Sequence, residues 1–158
     1  QGEDLVGVWT FEFGPAIDGF GATLKSDPAC AIAYWGIALA RWSNPFAATI
    51  RPPEQLQQGL DVVTRARLAG AKTGRERAYI EAAAQLYDQA GTRDQRARVV
   101  AYEQAMARLA AEHPEDREAS IFWALSCSPV MLRSTCVKVW LAERQKGRQR
   151  FRMLCLSS

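Results

Sequence analysis

His113 is the only histidine of the chain, so it is the first residue to consider as a general base. Catalysis would also need a nucleophile or a carboxylate positioned with it, and no motif in the sequence supplies one. A histidine in the last turn of a helix more often interacts with the free carbonyl groups there. We therefore expect that the chain is not an enzyme.

Two other groups of residues invite comparison with known sites. Cys127, Cys136 and Cys155 do not have CxxC spacing, and with one histidine in the chain the usual zinc sets are not available locally. Four cysteines in 158 residues are too few for a disulfide scaffold, so reduced thiols are expected. The Gly-Phe-Gly sequence at 19–21 lacks the third glycine and the preceding strand of a dinucleotide-binding loop. We predict no metal site and no cofactor.

Basic residues are concentrated at the C-terminal end. Residues 1–126 contain 13 Lys/Arg and 16 Asp/Glu, whereas residues 127–158 contain 7 and 1, so the two parts have net charges of −3 and +6. The basic run at 144–152 could bind nucleic acid or another anionic surface, because each basic residue adds salt-dependent affinity for phosphate. Its alternative is a solvated or disordered tail. The other aromatic residues are not interleaved with this run, so nucleic acid is not the partner that we favour.

Trp35 and Trp42 are seven residues apart, which places them on one face of a helix. They could form an aromatic ligand-binding surface, or they could pack in the core, because this segment is apolar on nearly every side. Arg41 and Asn44 lie beside them, and the guanidinium of an arginine can bind a carboxylate with two hydrogen bonds. More often such residues are solvated or cap the end of a helix.

The elements that would position these residues are all predicted helices. Apolar residues at steps of three and four predict helices at about 13–26, 29–42, 54–71 and 96–112. A further helix runs from an N-cap at Thr73, with Glu76 at capping-box spacing, to about 89, and a last one, capped by Asp116, runs through 121–125. No segment alternates with period two, so we predict an all-α chain.

The order of these residues resembles the tetratricopeptide repeat (TPR), a pair of antiparallel helices. Its second helix carries a small residue, an aromatic residue and a closing proline, and the next repeat begins with an aromatic and a large aliphatic residue. The matching positions are Ala16, Phe20 and Pro28, then Tyr34, Ile37 and Ala38, and more loosely Tyr102, Met106 and Pro114. The stretches Asp27–Ala38 and Arg75–Ala82 are similar to strings found in bacterial TPR proteins of unassigned function.

The resemblance implies an α–α superhelix of about three TPR-like helical hairpins over residues 11–126. It also implies a scaffold that binds a protein or peptide in a groove centred on residues 32–44. The first helix of each pair lines that groove, and the candidate ligand residues are Ile32, Trp35, Leu39, Arg41, Trp42 and Asn44. Residues 127–158 depart from the pattern, and we expect a divergent basic, Cys-containing tail that is partly disordered.

The remaining expectations concern the partner and the compartment. No apolar run reaches the roughly 18–20 residues of a membrane-spanning helix, so no span is predicted. The first residues lack the basic start and apolar block of a signal peptide, which favours the cytoplasm, whereas a removed N-terminal segment would allow export. The partner is an unknown protein or peptide. Because residues 1–10 are too short for the helix that should cover 13–26, we expect a homo-oligomer or a longer chain.

Overall fold

The computed structural model describes residues 12–44 and 49–127 of this chain. These residues form six α-helices and contain no strand, so this part of the protein is all-α, as predicted. The helices are α1 (Phe13–Ser26), α2 (Ala31–Trp42), α3 (Pro53–Ala69), α4 (Gly74–Ala84), α5 (Gln95–Glu112) and α6 (Arg117–Ser126).

The turn between α1 and α2 is built around Asp27. Its carboxylate accepts the N–H of Ala29 at 3.1 Å, and its carbonyl accepts the N–H of Cys30 at 3.0 Å. This turn delays the start of α2 to Ala31, two residues later than the periodicity indicated.

α4 is shorter than predicted. It ends at Ala84 instead of near 89, because the next N–H groups bond to carbonyls three residues back and the chain continues in turns. Leu86 and Tyr87 lie in those turns and are nevertheless buried. The apolar period therefore located core residues correctly but extended the helix too far.

Three of the helices begin with a side-chain cap. In each case a side-chain oxygen accepts the backbone N–H three residues further on, which satisfies one of the free donors of the first turn. The pairs are Thr73 with Glu76 at 3.1 Å, Asp94 with Ala97 at 2.7 Å, and Asp116 with Ala119 at 3.3 Å. The predicted caps at Thr73 and Asp116 are confirmed.

α1 packs directly on α2 as a hairpin. Phe20 of α1 is buried, and its ring lies against the backbone of Gly36 in α2. A Cβ atom at that glycine would lie 2.4 Å from the ring, so the two helices approach this closely only because the residue has no side chain.

α3 and the turn after α4 meet in the same way. The ring of Tyr87 lies over Gly59 of α3, and the Tyr87 hydroxyl donates a 2.6 Å hydrogen bond to the carbonyl of Ala38 in α2. One buried side chain thus connects α2, α3 and the end of α4.

Each helix packs on the next one along the chain, and α2 also packs on α4. α2 is the most buried helix, with nine of its twelve residues in the core. Within residues 12–44 and 49–127 we find no helix with the length and apolar character needed to cross a membrane.

Candidate functional site

The six predicted groove residues do not share one environment. Trp35 and Trp42 are buried, with 3% and 5% of their surface exposed, and Leu39 is buried as well. Ile32 and Arg41 are half-buried, and Asn44 is exposed.

Trp35 packs inside the helical array. Its ring makes edge-to-face contacts with Tyr79 of α4, at a centroid distance of 4.8 Å, and with Phe122 of α6, at 5.1 Å. Its indole N–H is buried without a hydrogen-bond partner. Trp35 therefore joins three helices and does not line an open surface.

Trp42 lies at the centre of an aromatic and cationic cluster. Tyr87 contacts it edge-to-face at 5.7 Å. The guanidinium carbons of Arg51 and Arg98 lie 4.8 Å and 5.8 Å from its ring centroid, within cation–π range. Both arginines are buried, and burial lowers the pKa of each guanidinium.

The guanidinium groups of this cluster bind backbone carbonyls. Arg51 donates to the carbonyls of Trp42 and Asn44 at 3.1 Å and 2.7 Å and also to that of Thr49. These bonds satisfy carbonyl groups at and beyond the end of α2. Arg98 donates to the carbonyl of Leu86 in the turn after α4. No local sequence pattern distinguishes Arg51 or Arg98, and neither was predicted.

An apolar groove runs beside this cluster, between α2, α5 and α6. Eight of its ten lining residues are aliphatic or aromatic, among them Leu39, Trp42, Val99, Tyr102 and Leu125. Its volume is about 40 Å³, which is room for about three water molecules and too little for a typical small-molecule ligand. Two of the six predicted groove residues, Leu39 and Trp42, line it.

Arg41 and Asn44 have other contacts. Arg41 donates a 2.7 Å hydrogen bond to the side-chain carbonyl of Gln58, and its own carbonyl accepts a bond from Gln55. The carbonyl of Asn44 accepts the bond from Arg51. Neither residue lines the apolar groove.

A polar cluster that includes the exposed side chain of Arg75 surrounds the buried carboxylate of Asp116. Its carboxylate accepts hydrogen bonds from Arg75 at 2.6 Å and from Tyr79 at 2.9 Å, in addition to capping α6. Burial by itself would raise the pKa of Asp116, but the bonds from Arg75, Tyr79 and the Ala119 N–H lower it to about 2. A carboxylate held this strongly in its ionised form is a weak base. Its bonds to Arg75 and Tyr79 join α4 to the start of α6 and stabilise that junction.

His113 ends α5, where its backbone N–H bonds to the carbonyl of Leu109. Its imidazole Nδ1 lies 3.6 Å from a carboxylate oxygen of Glu115. Among residues 12–44 and 49–127, no three His, Cys, Asp or Glu side chains are grouped as metal ligands would be.

The remaining candidates belong to the C-terminal part of the chain. Cys127 is disulfide-bonded, which corrects the expectation of a reduced thiol at this position, whereas Cys30 is a free buried thiol. Sequence spacing alone could not show which sulfur atoms meet. Cys136, Cys155 and the basic run at 144–152 lie outside the described residues.

No protein-family model, no curated protein and no solved structure matched this chain.

Proposed function

We propose that this chain is a protein- or peptide-binding scaffold of the TPR type, in which the helices form an α–α superhelix. Contacts between alternate helices support this arrangement, because stacked helical hairpins form them from repeat to repeat. Trp35 of α2 contacts Tyr79 of α4, and Tyr79 bonds to Asp116 at the start of α6.

The observation that carries the proposed function is the apolar groove beside Trp42. This groove is partly open. Two of the residues that line it are half-buried and therefore within reach of a partner, namely Val99 of α5 and Leu125 of α6. A groove of this size and composition fits a single apolar side chain of a peptide better than a whole small molecule. Apolar and aromatic anchors of this kind supply most of the affinity in many protein interfaces.

The test is selection of binders from a random peptide library displayed on phage, with the purified chain as the target. Peptides with an aromatic or large aliphatic residue are expected. Their affinity should fall at least tenfold for V99D, because an ionised carboxylate in the groove would be desolvated by the bound side chain.

The matched control is L68D. Leu68 is also aliphatic, but it lies on α3 with 82% of its surface exposed and does not line the groove. Peptides should bind L68D and the unchanged chain equally well. Selected peptides that bind V99D as tightly as the unchanged chain would exclude the groove, and a failure to select any peptide would contradict the binding function.

Binding of nucleic acid or anionic surfaces by residues 144–152 stays a prediction of the sequence, because that run lies outside the described residues. If this run binds an anionic partner, the affinity should fall steeply as the salt concentration rises. Apolar binding in the groove should not show that dependence.

A further inference from the structure

One hydroxyl group in the apolar groove has no hydrogen-bond partner among the described residues. Two other buried tyrosines do have one, because Tyr79 bonds to a carboxylate and Tyr87 to a backbone carbonyl. Tyr102 of α5 is also buried and lines the groove, but its hydroxyl bonds to no residue in the described part of the chain. Burial alone raises the pKa of Tyr102, so the hydroxyl keeps its proton at neutral pH and remains a hydrogen-bond donor.

The Tyr102 hydroxyl retains contact with open space. Among the described residues, the side-chain nitrogens that are fully enclosed without a partner belong to Trp35, Arg41, Arg98 and Trp123. The oxygen of Tyr102 is not one of these enclosed atoms, and the open space beside this residue is the groove. A bound side chain would displace the water that this hydroxyl can reach. A purely hydrocarbon anchor would therefore leave a buried donor unsatisfied, which opposes binding.

Aromatic rings form much of the groove around this hydroxyl. Four of the ten lining residues are aromatic, namely Phe13, Trp42, Tyr102 and Phe122. A thioether sulfur makes favourable contacts with aromatic rings, and it is also a weak hydrogen-bond acceptor. Among large aliphatic anchors, methionine is the one that offers both interactions. The atoms of its side chain beyond Cβ also suit a space with room for about three water molecules.

We propose that the groove takes the side chain of a methionine from the partner, and that the Tyr102 hydroxyl donates a hydrogen bond to the thioether sulfur. Tyr102 is then a specificity-determining residue, which favours sulfur over carbon at one position of the anchor. This inference deepens the proposed function and rests on it, because it names the anchor that the same groove binds.

Capped single residues test this preference without a known partner. The probes are N-acetyl-methionine methylamide and N-acetyl-norleucine methylamide, which differ only by a methylene group in place of sulfur. Their dissociation constants for the full chain come from NMR titration, in which backbone amide shifts near Val99 and Leu125 report occupation of the groove. The methionine probe should bind about two- to tenfold more tightly than the norleucine probe.

Two matched substitutions locate the source of the preference. Tyr102→Phe keeps the ring and removes only the hydroxyl, so the ratio of the two dissociation constants should fall at least twofold. Tyr34→Phe is the control, because Tyr34 does not line the groove and its hydroxyl bonds to the carbonyl of Pro28. This variant should keep the ratio of the unchanged chain. Equal binding of the two probes, or a ratio that Tyr102→Phe leaves unchanged, would overturn the inference.

Urea unfolding gives a second measurement that needs no ligand. Because the Tyr102 hydroxyl bonds to no described residue, Tyr102→Phe should leave the urea midpoint unchanged or raise it. Tyr87→Phe should lower the midpoint, since it loses the bond to the carbonyl of Ala38. A lower midpoint for Tyr102→Phe would show that its hydroxyl is already satisfied within the chain, and the inference would then be wrong.

These measurements separate the inference from the proposed function. If library peptides lose affinity for V99D while the two probes bind equally, only the inference fails. If the probes do not shift the amides near the groove, the inference fails whatever the peptides do. If no library peptide is selected, the proposed binding function is contradicted, whereas a methionine preference that Tyr102→Phe removes would still support the chemistry of the groove.

Discussion

The substitution Gly59→Ala should destabilise the protein, although alanine is the better helix former. Gly59 lies inside α3, and a Cβ atom there would lie 1.9 Å from Cε1 and 2.3 Å from Cζ of Tyr87. Tyr87 is completely buried and is held by its hydrogen bond to Ala38 and its contact with Trp42. The ring therefore cannot move aside without losing one of these interactions or separating α3 from its neighbours.

The expected magnitude is a balance of opposing effects. Replacing glycine in a helix interior gains about 1 kcal/mol of helix propensity. Overpacking a close contact costs about 1–3 kcal/mol, and loss of the Tyr87 hydrogen bond adds about 0.5–1.5 kcal/mol. The free energy of unfolding should therefore fall by about 0.5–3.5 kcal/mol.

The matched control is Gly21→Ala in α1. No atom lies within 4 Å of a Cβ placed there, so the gain in helix propensity should appear without a packing cost. Its free energy of unfolding should rise by about 0.5–1 kcal/mol. Urea denaturation followed by circular dichroism at 222 nm measures both changes.

The opposite signs of these two effects make the reasoning refutable. If Gly59→Ala stabilises the protein as Gly21→Ala does, then Tyr87 does not pack against α3 as described. A double-mutant cycle with Tyr87→Leu adds a check, because a smaller side chain at 87 should remove most of the cost of Gly59→Ala. Additive effects of the two substitutions would show that the residues are not in contact.

Three further predictions concern stability. Phe20→Ala should lower the free energy of unfolding by about 3–5 kcal/mol, because it removes a buried ring and leaves a cavity against Gly36. A loss below about 1 kcal/mol in urea unfolding would mean that the ring lies at an open end of the helical array. The lowered pKa of Asp116 should contribute about 2 kcal/mol of stability that is complete above about pH 4 and is lost as the pH falls toward 2. Asp116→Asn should remove this part of the pH dependence, so a variant as acid-sensitive as the unchanged protein would contradict the assignment. Arg67→Ala should change the free energy of unfolding by less than about 1 kcal/mol, because the two ion pairs of Arg67 are solvent-exposed. A larger loss of stability in thermal unfolding would contradict this assignment of the pairs as weak.

Helix positions were largely predictable from local sequence. The turn at Asp27-Pro28, the caps at Thr73 and Asp116, and the end of α5 before Pro114 all appear where their residues indicated. These signals act within one helical turn, because a cap or a proline changes only the backbone bonds of its immediate neighbours.

The site was much less predictable. Periodicity placed Trp35 and Trp42 on one face of α2 but could not tell a core from a groove, since both use the same apolar residues. The structure buries Trp35 against α4 and α6 and leaves Trp42 at the groove wall.

Contacts between distant residues were decided by the tertiary structure alone. Tyr87 reaches the carbonyl of Ala38 across 49 residues, and Arg51 and Arg98 reach the same indole from a loop and from α5. Such meetings depend on the distances and crossing angles of packed helices, which follow from how all the side chains at each interface fit together. No short stretch of sequence contains that information, so local sequence established the helices and their packing established the groove.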